Sequence, residues 1–340
     1  MINSLHIKNF KSIKELKINP RKVNLFIGRP NVGKSNVLEA ISMLNTKELI
    51  CKPRKIDNLI VRYNSVGNLF LDRKEISYIE SNLNKLQLKL TADNSCEFEY
   101  EGKLTNSNNS ENLDQKFTFR TGLNGILNWD NDKFQKANDV NIKLYKFRES
   151  SIKLRNISLF QNSLNFPFGE NLFSVIESDN DLTSTLSDIL KDYDLNLVFI
   201  EDDRKFVIQK KQNNRIIQLP LELIADTIKR YIFYLVAIKT NSESTLIFEE
   251  PESNSFPPYI VQLAENIAAS DNQFFVTTHS PYILETLFNR CNQSDIAIYH
   301  LEYENHETKV NQLESAAVKE LIELKGDVLY NLDYFKNTNG

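Results

Sequence analysis

The chain has 340 residues, of which 41% are hydrophobic and 25% are charged, and this usage excludes collagen-like, disordered and disulfide-scaffold proteins. Its formal net charge of −4 excludes a strongly basic protein that coats nucleic acid. No apolar run approaches the about 18 residues of a membrane span, and the N-terminus lacks the apolar region of a secretory signal. Three scattered cysteines indicate reduced thiols, so we expect a cytoplasmic protein with no membrane partner.

The first part of the chain is predicted to be rich in strands. Apolar residues alternate over residues 4–27, which predicts short strands, and the apolar spacing after residue 35 predicts an amphipathic helix. Residues 46–145 hold further strand-like pieces around a polar stretch at 105–114, which we expect to be an exposed loop. We interpret residues 46–145 as an antiparallel β lobe inserted between two parts of a core.

From residue 146 onward, predicted strands alternate with predicted helices. Helices are expected over residues 221–239, 259–269 and 281–288, and strands over residues 246–248, 274–278 and 296–301. Such alternation favours an α/β fold with a mainly parallel sheet. We therefore expect one domain, with its core formed by residues 1–45 and 146–340.

The strongest motif is GRPNVGKS at residues 28–35, which fits the G-x-x-x-x-G-K-[ST] pattern of phosphate-binding loops. Its glycines let backbone N–H groups turn toward phosphate oxygens, and Lys34 supplies charge to the β- and γ-phosphates. The Ser35 hydroxyl would ligate Mg²⁺, and the following helix adds its positive N-terminal dipole. The predicted phosphate contacts are Gly28, Asn31, Val32, Gly33, Lys34, Ser35 and Asn36.

Two further motifs place polar residues at the ends of apolar strands. Residues 245–248 lead into Glu249 and Glu250, a Walker B arrangement in which the first carboxylate holds Mg²⁺ and the second polarises the attacking water. This pattern alone is weak, because acidic residues often end strands, and the phosphate loop gives it its weight. A second strand leads to His279; a lone histidine is usually structural, but this one is expected at the same sheet edge, as a γ-phosphate sensor or water ligand.

Together these motifs resemble the ABC-type ATPase head of the RecF/SMC branch, and most closely the OLD-type (overcoming lysogenization defect) ATPases of bacterial phage defence. The matching segments are IKNFKSI at 7–13, GRPNVGKSN at 28–36, LIFEEPE at 246–252 and TTHSPYIL at 277–284. The resemblance covers about residues 1–45 and 145–305 and leaves out the β lobe. It implies a P-loop NTPase that uses ATP and Mg²⁺, with further nucleotide contacts from Lys11 and Ser12.

The resemblance also implies partners. In that family, ATP is sandwiched in a head-to-head dimer, so a homodimer or higher oligomer and a separate effector protein are expected. Nucleic acid is a further possible partner. The basic stretch from Arg204 to Arg215 is either a solvated surface or the surface that contacts nucleic acid. Gln161 is either a γ-phosphate-sensing glutamine or a surface amide. About 35 residues follow Leu301-Glu302-Tyr303, too few for an independent domain, so no Toprim nuclease domain is expected.

The sequence departs from the family pattern at the signature segment. Ala225 stands where a hydroxyl is expected and Thr227 where a glycine is expected, and both changes weaken contact with a bound anion. Glu249 replaces the usual aspartate, and Phe256 stands where relatives often carry histidine. These departures bear on turnover and not on nucleotide binding. An ATPase that controls an effector and a slow, nucleotide-locked scaffold both stay open, whereas a membrane-transporter subunit is disfavoured by the missing signature motif.

Overall fold

The structure is a computed structural model. It describes residues 1–45, 60–105, 112–121, 127–128, 141–149, 162–200, 202, 205–213, 215–220 and 223–323. The described residues fall into two compact units. The first is built from residues 1–144, 243–250 and 273 onward, and the second from residues 145–242 and 251–272.

The strands, in chain order, are β1 (Leu5–Phe10), β2 (Ile13–Ile18), β3 (Val23–Gly28), β4 (Ile76–Ser81), β5 (Asn84–Leu90), β6 (Cys96–Thr105), β7 (Asn112–Thr121), β8 (Leu127–Asn128), β9 (Ile142–Tyr145), β10 (Asn196–Ile200), β11 (Lys205–Gln212), β12 (Arg215–Pro220), β13 (Thr245–Glu249), β14 (Gln273–Thr277), β15 (Ile296–Glu304) and β16 (Glu307–Gln312). The helices are α1 (Lys34–Met43), α2 (Leu172–Ser178), α3 (Asn180–Lys191), α4 (Asp226–Lys239), α5 (Pro257–Ala269), α6 (Pro281–Arg290) and α7 (Ser315–Glu323).

The first unit contains a six-stranded sheet with the order β16–β15–β3–β14–β13–β9. Strands β15, β3, β14 and β13 run parallel, and β16 is antiparallel to β15. β3 and β14 are wholly buried and β13 nearly so, which is typical of parallel strands covered on both faces. Because these three strands are parallel neighbours, their carboxyl ends meet at one edge of the sheet.

A seven-stranded sheet with the order β2–β1–β4–β5–β6–β7–β8 completes the first unit, and its pairings are antiparallel. Helix α1 buries Val37, Leu38 and Ile41 in one apolar core with residues of both sheets. Phe26 of β3 stacks on Tyr299 with ring centroids 5.1 Å apart, which fixes β3 against its neighbour β15. The core therefore holds both ends of the loop that joins β3 to α1.

The second unit combines helices with a small antiparallel sheet of order β10–β11–β12. Helix α4 is buried along most of its length and packs on α5, where the rings of Tyr231 and Tyr259 lie 5.2 Å apart. Phe173 of α2 meets Phe206 of β11 with centroids 6.0 Å apart, so the small sheet is anchored to the helices by aromatic contact.

The expected α/β fold with parallel strands is confirmed, and several element ends differ from the prediction. The helix expected over 221–239 begins only at Asp226, because Ala225 before it has an extended ψ of 140°. The loop expected at 105–114 is shorter, since β6 runs to Thr105 and β7 starts at Asn112, while residues 106–111 lie outside the described part.

The antiparallel strands expected in the β lobe are present as β4 to β8, but they extend a sheet that β1 and β2 begin. Strand β9, at the end of that segment, joins the six-stranded sheet instead. Alternation of apolar residues predicts strands but does not say which strands pair. For this reason the sequence did not predict that β1 and β2 belong to the same sheet as β4 to β8. The division into residues 1–45, 46–145 and 146–340 stays a prediction.

Candidate functional site

The phosphate-binding motif forms a tight turn between β3 and α1 that excludes side chains at two positions. Gly28 has a φ of 150° and Gly33 a φ of 98°. A Cβ atom on Gly28 would lie 2.4 Å from the backbone oxygen of Leu301, and one on Gly33 would lie 2.1 Å from Oγ1 of Thr308. Only glycine satisfies both the backbone angle and the close approach, as expected where backbone groups face a ligand.

Lys34 opens helix α1 and is almost completely buried, with 6% of its surface exposed. Its Nζ donates hydrogen bonds to the carbonyl oxygens of Gly28, at 2.9 Å, and Arg29, at 2.8 Å. The ammonium group therefore lies inside the turn, where a phosphate would be bound. Gly33 at the N-cap supplies no capping side chain, so the helix presents its first N–H groups and its positive dipole to the same turn. Ser35 follows on the first turn of α1 and is half-buried.

A chain of polar side chains ties the turn to the loop between β1 and β2. Asn36 Nδ2 donates to Ser12 Oγ at 2.7 Å, and Ser12 Oγ lies 2.6 Å from Thr308 Oγ1. Thr308 Oγ1 in turn donates to the carbonyl oxygen of Val32 at 2.9 Å. The structure thus places Ser12 beside the phosphate loop, where the sequence predicts a nucleotide contact. Thr308 was not foreseen, because nothing in the pattern of β16 marks it.

The strand register brings both carboxylates of the Walker B segment to the edge that carries the phosphate loop. Thr277 of β14 pairs with Glu249 of β13 on one side and with Phe26 of β3 on the other. Glu249 therefore lies level with Phe26, close to the end of β3 at Gly28. Glu250 follows with a φ of 44°, and its N–H donates to both the carbonyl oxygen and Oγ1 of Thr277 at 3.1 Å. Ligands of open α/β sheets bind at such an edge.

His279 lies against Glu250, with Nε2 3.2 Å from Oε1 of the carboxylate. Burial lowers the pKa of His279 below its usual value, and the charge of Lys34 lowers it further, although the carboxylate of Glu250 acts in the opposite direction. The imidazole is therefore neutral at pH 7 and donates an N–H to Glu250. The close approach of Glu250, His279 and Lys34 was expected from the sequence; their catalytic roles stay predictions.

An ion-pair network that the sequence did not reveal surrounds Glu249. Arg62 Nη2 donates to Glu249 Oε1 at 3.0 Å, and Arg62 Nε donates to Glu39 Oε1 at 2.7 Å. Glu39 is buried on α1 and also pairs with Lys11. Burial alone would lower the pKa of Arg62, but the charge of Glu249 and the bond to Glu39 outweigh it and raise that pKa. The one sequence signal for this network was Glu39, a glutamate on the apolar face of α1. Its partner Arg62 is distant in sequence, so the pair could not be predicted.

Lys11, expected to contact nucleotide, has a structural partner as well. Its Nζ binds Glu39 and donates to the carbonyl oxygen of Arg62 at 2.6 Å. It therefore lies between α1 and the segment that carries Arg62. Asn31, with a φ of 62°, is the exposed tip of the phosphate loop, whereas Val32 is buried beneath it.

The signature segment belongs to the second unit. Ala225 is the exposed N-cap of α4, and Thr227 is half-buried on its first turn. The Thr227 hydroxyl accepts a hydrogen bond of 2.6 Å from the N–H of Phe256, whose ring is 57% exposed. The Thr227 side chain is thus engaged within its own unit, where the family pattern has a bare glycine.

Other sequence-predicted residues lie apart from the site or outside the described residues. Gln161 and Arg204 belong to the undescribed part, and the basic side chains of Lys210, Lys211 and Arg215 are exposed on the β11–β12 hairpin. Across the residues that the structure describes, no group of three or more histidine, cysteine or acidic side chains is arranged to hold a metal. No helix in the described ranges is long and apolar enough to span a membrane.

The fold and the phosphate loop define the class of the protein as a P-loop NTPase with a head like that of SMC ATPases. The chain belongs to the family described as "AAA domain, putative AbiEii toxin, Type IV TA system", which matches residues 23–285. It is 24% identical to an ATP/GTP phosphatase of Helicobacter pylori in an alignment of 351 residues in length, which covers 91% of this chain and 91% of that one.

Two solved SMC heads share the fold. An SMC head bound to the C-terminal winged-helix domain of ScpA superimposes with a TM-score of 0.53 and 13% identity, covering 94% of this chain and 99% of that one. A second SMC head, in complex with a ScpA C-terminal domain derived from Pyrococcus furiosus, gives a TM-score of 0.52 and 13% identity, covering 95% and 98%.

Proposed function

We propose that this chain binds Mg·ATP at residues 28–35 and hydrolyses it. The observation that carries the proposal is Lys34, a buried ammonium held by the carbonyl oxygens of Gly28 and Arg29 at 2.9 and 2.8 Å inside a turn that admits no side chain at Gly28 or Gly33. A buried cation in such a turn is suited to a polyphosphate anion. The relative named ATP/GTP phosphatase, which matches along 91% of the chain, supports hydrolysis of the bound nucleotide.

Two oxygen donors at the sheet edge fit a magnesium ion. Ser35 lies on the first turn of α1 and Glu249 is the last residue of β13, and Mg²⁺ binds hydroxyl and carboxylate oxygens of this kind together with phosphate oxygens and water. Glu249 already faces a cation, since Arg62 binds its Oε1 at 3.0 Å. Bound Mg²⁺ would supply charge neutralisation at the β- and γ-phosphates.

Glu250 and His279 are suited to handle the attacking water. Glu250 is held by its backbone at a φ of 44°, which projects its carboxylate beyond the end of β13. Its carboxylate oxygen Oε1 lies 3.2 Å from Nε2 of His279, whose pKa is lowered by burial and by Lys34, and a carboxylate at this position is the kind of group that accepts a proton from water. In this assignment Glu250 is the general base, and His279 orients it and the γ-phosphate.

We further propose that ATP drives an ABC-type head-to-head dimer, or higher oligomer, that controls a separate effector protein. The SMC heads of similar fold were solved with a bound ScpA domain, which supports a protein partner for this chain. The motifs at residues 7–13 and 277–284 support an OLD-type assignment, and with it a cytoplasmic role in phage defence or a DNA-associated process.

A second candidate is a slow, nucleotide-locked scaffold that holds an effector. It is favoured by Ala225, which lacks a hydroxyl, and by Thr227, whose hydroxyl is already bound to the N–H of Phe256 at 2.6 Å. A signature segment of this kind would contact a γ-phosphate of the opposite head weakly, so that ATP would be held more than it is turned over.

The test is nucleotide binding together with mass in solution. Sedimentation velocity of Glu250→Gln with Mg·ATP should give a species of twice the chain mass or more, while Lys34→Ala should bind no ATP and keep its apo mass. Dimerisation that is equally long-lived in the unaltered chain and in Glu250→Gln would favour the scaffold. Failure of the unaltered chain to bind Mg·ATP would refute both candidates.

A further inference from the structure

A cleft of about 800 Å³ opens in the first unit beside the phosphate loop. Lys11, Ser12 and Arg62 line one end of it, and Tyr303 and His306 line another part of its wall. Both parts of the cleft wall are connected to the phosphate loop by contacts within the first unit.

The first end adjoins the phosphate loop through Ser12. Ser12 Oγ accepts a hydrogen bond from Asn36 at 2.7 Å, and a Cβ atom on Gly33 would lie 2.9 Å from the same oxygen. Arg62, in the same wall, binds Glu249 at 3.0 Å. A polyphosphate in the loop would therefore have this cleft immediately beside it.

The aromatic wall is connected to the loop through strand β15. Leu301 of β15 pairs with Gly28 of β3, and Tyr303 lies two residues further along β15, a rise of about 7 Å. After Glu304, a two-residue turn of Asn305 and His306, with φ values of 50° and 63°, reverses the chain into β16. Positive φ at both turn residues is typical of a type I′ hairpin, so the backbone of His306 is held next to the end of β15 that carries Tyr303.

Tyr303 and His306 present exposed aromatic surface in the wall of the cleft. Tyr303 is 49% exposed, and its ring lies 6.5 Å from the His306 ring in an edge-to-face arrangement. Lys11 and Arg62 in the cleft wall are paired with Glu39 and Glu249, and the wall also holds one further cation, Arg73, and one carboxylate, Asp72, so it carries no strong charge of one sign. An uncharged aromatic group attached to a phosphate chain, as in the nucleoside part of a nucleotide, matches this wall.

We propose that the cleft binds the nucleoside part of the nucleotide, with the base stacked against the Tyr303 ring and the His306 ring in contact with the edge of the base. This inference rests on the proposed function, since it assumes that the phosphates occupy residues 28–35. Aromatic stacking accepts any base, because every base has a π-face, so adenine and guanine nucleotides should bind with similar affinity. Tyr303 would then be a base-binding residue and would take no part in phosphate recognition.

The test compares a nucleotide with a phosphate chain that has no base. Calorimetric titrations with Mg·ATP, Mg·GTP and Mg·tripolyphosphate should show Tyr303→Ala weakening ATP and GTP by about 5- to 100-fold. Affinity for tripolyphosphate should be unchanged, and Tyr303→Phe should restore nucleotide affinity. Tyr193→Ala is the matched control, because Tyr193 is 45% exposed and lies in the second unit.

The outcomes separate the two proposals. Unchanged ATP affinity in Tyr303→Ala, or an equal loss for tripolyphosphate, would overturn the base site and leave phosphate binding intact. Failure of the unaltered chain to bind ATP, or full binding by Lys34→Ala, would overturn the proposed function and the base site together.

Discussion

Burial and the charge of Lys34 lower the pKa of His279, whereas the carboxylate of Glu250 raises it. The first two influences are larger, so the pKa of His279 is lowered. Its pKa is lower in the folded than in the unfolded chain, where about 6.5 is usual. The unfolded chain therefore binds this proton more readily, and the contribution of His279 to stability is lost as pH falls below about 6.5.

We expect His279→Gln to flatten the fall in stability between about pH 7 and pH 5, because the substituted side chain does not titrate. Denaturant unfolding curves at several pH values would measure this. His306→Gln is the control, since His306 is exposed on a turn. A His279→Gln protein with the same pH dependence as the unaltered chain would contradict a neutral, half-buried His279 with a lowered pKa.

Arg62 bridges two carboxylates, Glu39 at 2.7 Å and Glu249 at 3.0 Å, and one of these is buried. Arg62→Gln should lower the free energy of unfolding of the nucleotide-free protein by about 1 kcal/mol, since Arg62 itself is partly exposed and screened. Arg73→Gln serves as the comparison, because no ion pair of Arg73 occurs within the described ranges. Equal losses in the two variants would mean that the bridge contributes nothing.

At the scale of the elements, the turn between β3 and α1 tests the geometry of the phosphate loop. Gly33→Ala would bring a Cβ to 2.1 Å from Thr308 Oγ1 at a φ of 98°, whereas Gly67→Ala meets nothing closer than 3.8 Å. We expect Gly33→Ala to cost about 1–3 kcal/mol of stability and to abolish ATP binding. Gly67→Ala is the control for stability, which it should leave unchanged. Thermal unfolding and ATP titration of the pair measure both effects.

The elements also show how far sequence reasoning reaches. Buried apolar runs at β3, β13 and β14, with Gly28, Glu249 and His279 after them, were enough to predict a shared sheet edge. Arg62 and Thr308 reach the site from segments with no distinguishing sequence pattern. Their contacts depend on which distant segments pack together in the fold, and this cannot be predicted from one sequence. The strand order of the seven-stranded sheet was missed for the same reason.

For the whole molecule, ligand binding and folding stability are linked. A nucleotide that binds only the folded chain adds about 2.7 kcal/mol at a concentration 100 times its Kd. Mg·ATP should therefore raise the unfolding temperature of the chain by several degrees, and the rise should grow with the logarithm of the ATP concentration above Kd. Lys34→Ala should show no such rise. An equal rise in that variant would mean that ATP stabilises the protein from somewhere other than residues 28–35.

Hydrolysis is the most direct measurement of the central claim. Phosphate release from Mg·ATP by the purified chain should fall by about 100-fold or more in Glu250→Gln, because a general base is lost. The variant should still bind ATP, since Lys34 and the phosphate loop are intact. Equal rates in the two proteins would contradict Glu250 as the base, and no release by the unaltered chain despite tight ATP binding would contradict an ATPase in favour of the locked scaffold.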